Sequence, residues 1–232
     1  MSTNNQTKTL VIGTGYLGQC VIEKANFFNL DIISTYNTNQ KFPNSISFDF
    51  LTDDISKVTN LSVVRTIILT LNIKTGSSFE ELRHALSNFL KQIKNIRLIY
   101  ISSDAVFDGL KGQYSENDFP NPITEYGKNK KIFEDAIKLN SKNYCIIRPS
   151  YIYGYSLGNL DKRIQKTIEV IKNNIQTEVF EDMYKSPIDV NQLSELIIKE
   201  VLSDYTGIIH AGGKRISIYD FKKQALEALG LP

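Results

Sequence analysis

The feature that most constrains this chain is a glycine turn wedged between a short apolar run and a helix-period segment. Residues 8–12 (KTLVI) read as a strand and lead directly into Gly13-Thr14-Gly15-Tyr16-Leu17-Gly18. Residues 16–28 follow with Leu17, Val21, Ala25 and Phe28 near one helical face. A G-x-G-x-x-G string carries meaning in this context. The first glycine permits the tight turn, the second lets backbone approach a pyrophosphate, and the third lets the helix pack closely on the strand. Free N–H groups at the helix start then face the anion. Dinucleotide binding is the expectation, with Gly13, Gly15, Tyr16, Leu17 and Gly18 as cofactor contacts. The competing reading is a tight strand–helix turn without a ligand.

The alternation continues for about 150 residues. Strands are expected at 31–36, 45–48, 65–71, 97–102 and 144–148, with helices at 78–94 and 123–140 between the later ones. Such alternation implies right-handed crossovers and a mostly parallel sheet. Runs such as IILTL suit strands covered on both faces. The expected fold class is therefore α/β, a Rossmann-type doubly wound parallel sheet with a small C-terminal substrate lobe. Residues 1–150 form the expected dinucleotide-binding domain. Residues 151–232 form the expected lobe, interwoven with the end of the sheet, with helices at 160–173, 190–202 and 217–229 and a strand at 207–210.

The end of the second strand bears on the cofactor. An NAD-binding fold places an Asp or Glu there for the ribose hydroxyls. This chain has Ser34-Thr35-Tyr36-Asn37, with Lys41 the nearby cation. A carboxylate would repel a 2′-phosphate and these side chains do not, so NADP(H) is favoured over NAD(H), with Asn37 as a contact. Asp49 is expected to accept from the adenine amino group, beside Phe50; its alternative is an ordinary loop acid.

The fifth strand ends in Ser102-Ser103-Asp104, and downstream lies Tyr126-Gly127-Lys128-Asn129-Lys130. Tyr126 and Lys130, at i and i+4, share one helix face. A phenol titrates near 10 and an adjacent ammonium lowers that value. A serine hydroxyl can stabilise charge growing on a substrate carbonyl, and Tyr126 can then donate the proton. Ser103, Tyr126 and Lys130 are the expected catalytic residues. A lone Tyr/Lys helical pair is commonly solvated surface; the glycine turn, the strand-end serine and the chain order together outweigh that.

These residues carry a family resemblance. Residues 100–109 (YISSDAVFDG), 112–130 (GQYSENDFPNPITEYGKNK) and 148–154 (RPSYIYG) resemble an extended short-chain dehydrogenase/reductase of the dTDP-4-dehydrorhamnose reductase group. The resemblance implies a reductase of a 4-keto sugar linked to a nucleoside diphosphate. It implies Asp104, Val106, Phe107 and Tyr151 at the sugar, Pro149, Ser150 and the Thr70–Asn72 segment with Leu71 at the nicotinamide, and Ser103 in place of the family's threonine. Phe107, Tyr151 and Tyr153 have core packing as their competing reading. Ala105 stands where the family has a tyrosine, and the part after Lys130 is short for the family. Two alternatives stay open: an NADP-binding regulatory or scaffold subunit, and an epimerase on the same fold.

Composition excludes other classes. The 27 Lys+Arg residues nearly balance 25 Asp+Glu, unlike the basic excess of a nucleic-acid binder. Cys20, Cys145, His84 and His210 lack metal-ligand spacing, so no metal is expected. Residues 1–7 have no apolar core of the signal-peptide kind, and no apolar run approaches the roughly 18 residues of a membrane span. A cytoplasmic protein is the expectation, with a homodimer as the default oligomer.

Overall fold

The structure, a computed structural model, describes residues 7–72, 78–176 and 178–231; residues 1–6 of the polar N-terminal segment lie outside them. In chain order the main elements are β1 (Lys8–Ile12), α1 (Tyr16–Phe27), β2 (Ile32–Tyr36), β3 (Ile46–Ser47), β4 (Val64–Leu69), α2 (Phe79–Gln92), β5 (Arg97–Ile101), α3 (Glu125–Asn140) and β6 (Tyr144–Pro149). Short strands β7 (Ile152–Tyr153), β8 (Tyr155–Ser156) and β9 (Asn159–Leu160) precede α4 (Lys162–Lys172). Then come β10 (Tyr184–Lys185), β11 (Ile188–Asp189), α5 (Val190–Val201), β12 (Gly207–Ala211), β13 (Ile216–Ser217) and α6 (Ile218–Ala228).

Seven strands pair in the order β12-β6-β5-β4-β1-β2-β3. Every pairing in that sheet is parallel. This is the Rossmann-type doubly wound fold. The direction of winding reverses between β1 and β4, and in such sheets ligands bind outside the carboxyl ends of the strands at that reversal.

The period-two alternation of the strands divides the core into two layers. Leu10, Ile12, Ile67, Leu69, Leu98 and Tyr100 face α2 and α3, where Leu82, Leu86, Phe89 and Phe133 meet them. Val11, Ile68, Ile99, Ile101 and Ile147 face α1 and α5, where Val21, Ala25, Leu193 and Ile197 close the other side. The continuous apolar runs of β4 and β5 follow from this, since both faces are covered. A third small cluster, Tyr151, Ile164 and Phe221, holds α4 and α6 together beside the sheet.

The element boundaries differ from the sequence expectation at the ends. The third strand has two ladder residues, both exposed, at the edge of the sheet. The loop around Ser186–Pro187 is flanked by the two-residue strands β10 and β11. The strands β10 and β11 pair with β13 and β7, partners far along the chain that local pattern does not encode. No helix among the described residues is long and apolar enough to cross a membrane.

Candidate active site

A cleft of about 850 Å³ opens at the β1/β4 reversal. The glycine turn forms its floor. Gly13 has φ +102°, a left-handed value that other residues rarely adopt. Its carbonyl accepts from Thr70 Oγ1 at 2.5 Å, which ties the turn to the end of β4. A Cβ on Gly18 would lie 1.9 Å from the Gly13 carbonyl oxygen, so α1 packs against the turn as closely as backbone permits. A Cβ on Gly15 would meet nothing within 4 Å; its space opens into the cleft.

The start of α1 is built for an anion. Gly15 caps it without a side-chain hydrogen bond, and no acid occupies the first turn. Its leading N–H groups and the positive end of the helix dipole are thus left for a ligand. Gly13, Gly15, Tyr16, Leu17, Asn37, Asp49, Phe50 and Leu71 all line the cleft, and Gly18 acts from beneath it. Lys41 lines the end beside Asn37. Pro149 and Ser150 do not line this cleft: Pro149 is buried in β6, and Ser150 bonds to Asp104 and Ser186.

The opposite wall was not legible in the sequence. Ser156, Asn159, Lys162 and Gln165, from β8 to α4, face the glycine turn across the cleft. Two bonds hold this segment in place. Tyr16 Oη donates to Gly154 O at 2.7 Å, and Ser156 Oγ donates to Tyr16 O at 2.7 Å.

At the far end the cleft meets the Tyr126–Lys130 face. Leu71 and Asn72 line both the cleft and a small pocket formed with Tyr100, Tyr126, Asn129, Lys130 and Phe133. Thr124 caps α3 by accepting from Gly127 N at 3.1 Å, which sets Tyr126 in the first helical turn. Gly127 is required there because a Cβ would lie 2.0 Å from the Ala105 carbonyl oxygen. The structure therefore brings Ser103, Tyr126 and Lys130 together at the end of β5.

Their electrostatics depart from the sequence reasoning in one respect. The Tyr126 phenol titrates above its ordinary value, chiefly because it is buried; a hydrogen bond with Ser103 and the Arg163 charge oppose this, and Asp104 adds to it. Lys130 is not what tunes it. Its ammonium is turned onto the Ile101 carbonyl at 2.9 Å and the Leu71 carbonyl at 3.4 Å, and lies 5.6 Å from the phenol ring centroid. Burial pulls Lys130 down to about 8, with Glu134 opposing. At neutral pH the pair is a protonated phenol above a largely charged amine, an arrangement that can donate a proton.

The residues implied at the sugar are placed differently from one another. Asp104 is partly exposed, and its Oδ2 accepts from Lys185 Nζ and from Ser150 Oγ, each at 2.8 Å. Val106 is fully buried. Phe107 is enclosed by a stack on Tyr114 at 4.3 Å, the edge of His210 and the Arg148 guanidinium. Tyr151 is buried too, under the Arg163 guanidinium at 3.5 Å and against Phe221. Val106, Phe107 and Tyr151 thus sit in packing, as side chains of that size and polarity do when neighbours are available.

The chain is similar to several known proteins. The chain is 34% identical over 135 residues to the spore coat polysaccharide biosynthesis protein SpsK of Bacillus subtilis, covering 57% of this chain and 46% of that protein. It is 27% identical over 160 residues to methionine adenosyltransferase 2 subunit beta of Danio rerio, covering 64% of this chain and 48% of that one. The matches thus span about half the length of these curated relatives. A solved structure of a hypothetical dTDP-4-dehydrorhamnose reductase from Sulfolobus tokodaii superposes with a TM-score of 0.80 at 25% identity, covering 97% of this chain and 84% of that one. The family model described as the RmlD substrate binding domain matches residues 85–232, from the middle of α2 to the C-terminus, and the chain belongs to that family.

Proposed function

We propose that the protein is a nicotinamide-dependent reductase of a 4-keto sugar carried on a nucleoside diphosphate. One observation carries the reading: the cleft that begins at the glycine turn ends, through Leu71, against Tyr126 and Lys130. The groove fits an extended dinucleotide, with uncapped helix N–H groups at its middle for the pyrophosphate. A bound nicotinamide supplies the hydride. Tyr126 delivers a proton to the carbonyl oxygen as that oxygen gains charge, and Ser103 donates a hydrogen bond to the same oxygen. Lys130 offsets the charge left on the phenol. Asp104 borders the substrate, Tyr151 supports the sugar side from the lobe of residues 151–232, and Val106 and Phe107 shape the floor beneath. The protein acts in the cytoplasm.

The test is oxidation of NADPH with dTDP-4-keto-6-deoxyglucose as the substrate. Removing the proton donor with Tyr126→Phe is expected to lower kcat roughly 10³-fold, while NADPH still binds, since the hydroxyl alone is lost. A Tyr126→Phe protein with wild-type turnover sinks the mechanism.

The cofactor is proposed to be NADP(H). Asn37 and Lys41 line the adenosine end, and no acid follows β2. Lys41→Ala is expected to weaken NADPH about fivefold, the worth of about 1 kcal/mol for an exposed ion pair. NADH affinity should stay unchanged. Fluorescence titration of both cofactors measures this, and an equal loss for both would assign Lys41 to the common part of the dinucleotide.

A second reading is favoured by the likeness to a protein named as a subunit, methionine adenosyltransferase 2 subunit beta. In that reading NADPH binds, a panel of keto-sugars produces no oxidation, and a partner co-purifies.

A further inference from the structure

Glu134 is a carboxylate with no exposure at all, in the helix that carries Tyr126 and Lys130. Burying a charge is costly unless it is paired and hydrogen-bonded. Its bonds are complete. Oε1 accepts from Ser102 Oγ at 2.6 Å and from Arg148 Nε at 2.9 Å, and Oε2 accepts from Arg148 Nη2 at 2.6 Å. The Arg148 side chain is itself 1% exposed. A buried pair of this kind adds little stability over a well-packed apolar pair, so its place calls for another account.

That account lies in spacing. Tyr126, Lys130 and Glu134 fall at i, i+4 and i+8 on one face of α3. Opposite them stand three consecutive residues at the end of β5. Lys130 donates to the Ile101 carbonyl and Glu134 accepts from Ser102, and the Ser103 hydroxyl at the next position lowers the titration of the Tyr126 phenol. Arg148, on β6, anchors the lowest rung from the neighbouring strand. We propose that Glu134 is a positioning residue for the Tyr126–Lys130 pair, holding α3 in register with the Ser103 strand end and keeping the buried Lys130 ammonium charged from one turn below.

The charge half of this has support from what surrounds each group. Lys130 faces the rings of Tyr100 and Tyr126, the carbonyls of Leu71 and Ile101, and the Glu134 charge. Burial lowers its titration to about 8, and Glu134 is the charge that opposes the fall. Glu134 in turn faces Arg148, Ser102 and, at 3.8 Å, Lys138; His210 lies beyond Arg148 at 3.2 Å. The register half rests on the proposed catalytic role of Tyr126; the charge half does not.

The experiment compares Glu134→Gln with Glu134→Asp and with the double variant Glu134→Gln/Arg148→Met, which leaves no unpaired buried charge. Lysine ε-carbon NMR follows Lys130 in the protein without substrate, and pH profiles of kcat and KM follow turnover of the keto-sugar. In Glu134→Gln and in the double variant the Lys130 midpoint is expected to fall below the wild-type value of about 8. The alkaline limb of kcat should move with it, kcat at neutral pH should fall roughly tenfold, and KM should hold. Glu134→Asp should restore part of both. A Lys130 midpoint unchanged in the double variant overturns the proposal, even with Tyr126→Phe inactive. A lowered midpoint supports it even with no keto-sugar reduced, so the two readings fail separately.

Discussion

Gly18→Ala is expected to destabilise the protein by about 3 kcal/mol and to weaken dinucleotide binding by at least about 100-fold. The single added methyl would sit 1.9 Å from the Gly13 carbonyl oxygen and 2.9 Å from Thr70 Oγ1. Neither can yield independently, because the same carbonyl is bonded to that hydroxyl at 2.5 Å. The helix must lift, and the N–H groups that face the cleft lift with it. Gly15→Ala separates packing from binding. Its Cβ meets nothing, and Gly15 has an ordinary φ of −70°. Stability should therefore change little, while the methyl stands in the cleft where backbone would approach a pyrophosphate and binding falls sharply. Urea unfolding and cofactor titration of the two variants measure both effects. Equal stability losses for the two would mean that close packing at Gly18 is not what the third glycine provides.

The glycine turn was legible because its chemistry is local: strand, turn and helix are consecutive, and each glycine answers to a contact within the motif or to the cleft beside it. Tyr126 and Lys130 were legible for a similar reason, since four residues on a helix always share a face. The hydrophobic runs of β4 and β5 announced burial on both sides. What stayed hidden depends on distant partners. Lys162 and Gln165 form a cleft wall only because Tyr16 and Ser156 pin β8 against the turn. Glu134 had a local signal in its i+8 spacing from Tyr126, but its meaning needs Arg148 on β6, which only the pairing of β5 with β6 brings alongside. Phe107 was ambiguous for want of Tyr114, which arrives from the following loop to cover it. The expected lowering of the Tyr126 phenol by Lys130 failed because spacing along a helix does not say where an ammonium points. Two backbone carbonyls, contributed by separate strand ends, decide that.

Lys130→Met is expected to make the protein more stable and nearly inactive. The folded chain lowers Lys130 from 10.5 to about 8, mainly through burial. A difference of that size is worth about 3 kcal/mol. The sign follows from proton counting: between about 8 and 10.5 the unfolded chain holds the proton and the folded chain does not, so the wild-type fold gains stability as pH rises through that window. Below about 8 the ammonium is charged in both states and the full cost of burying it is present. Methionine fills comparable space with no charge and forfeits the bond to the Ile101 carbonyl, worth about 1 kcal/mol. The net expectation is a gain of about 2 kcal/mol at pH 7 that shrinks toward pH 10, read from urea midpoints at the two pH values, alongside a kcat lowered roughly 10²- to 10³-fold. A variant less stable than wild type at pH 7 would mean that the carbonyl bonds and the Glu134 charge already compensate the burial. A gain in stability together with a loss of turnover would mark Lys130 as a residue held in place by function at a cost to the fold.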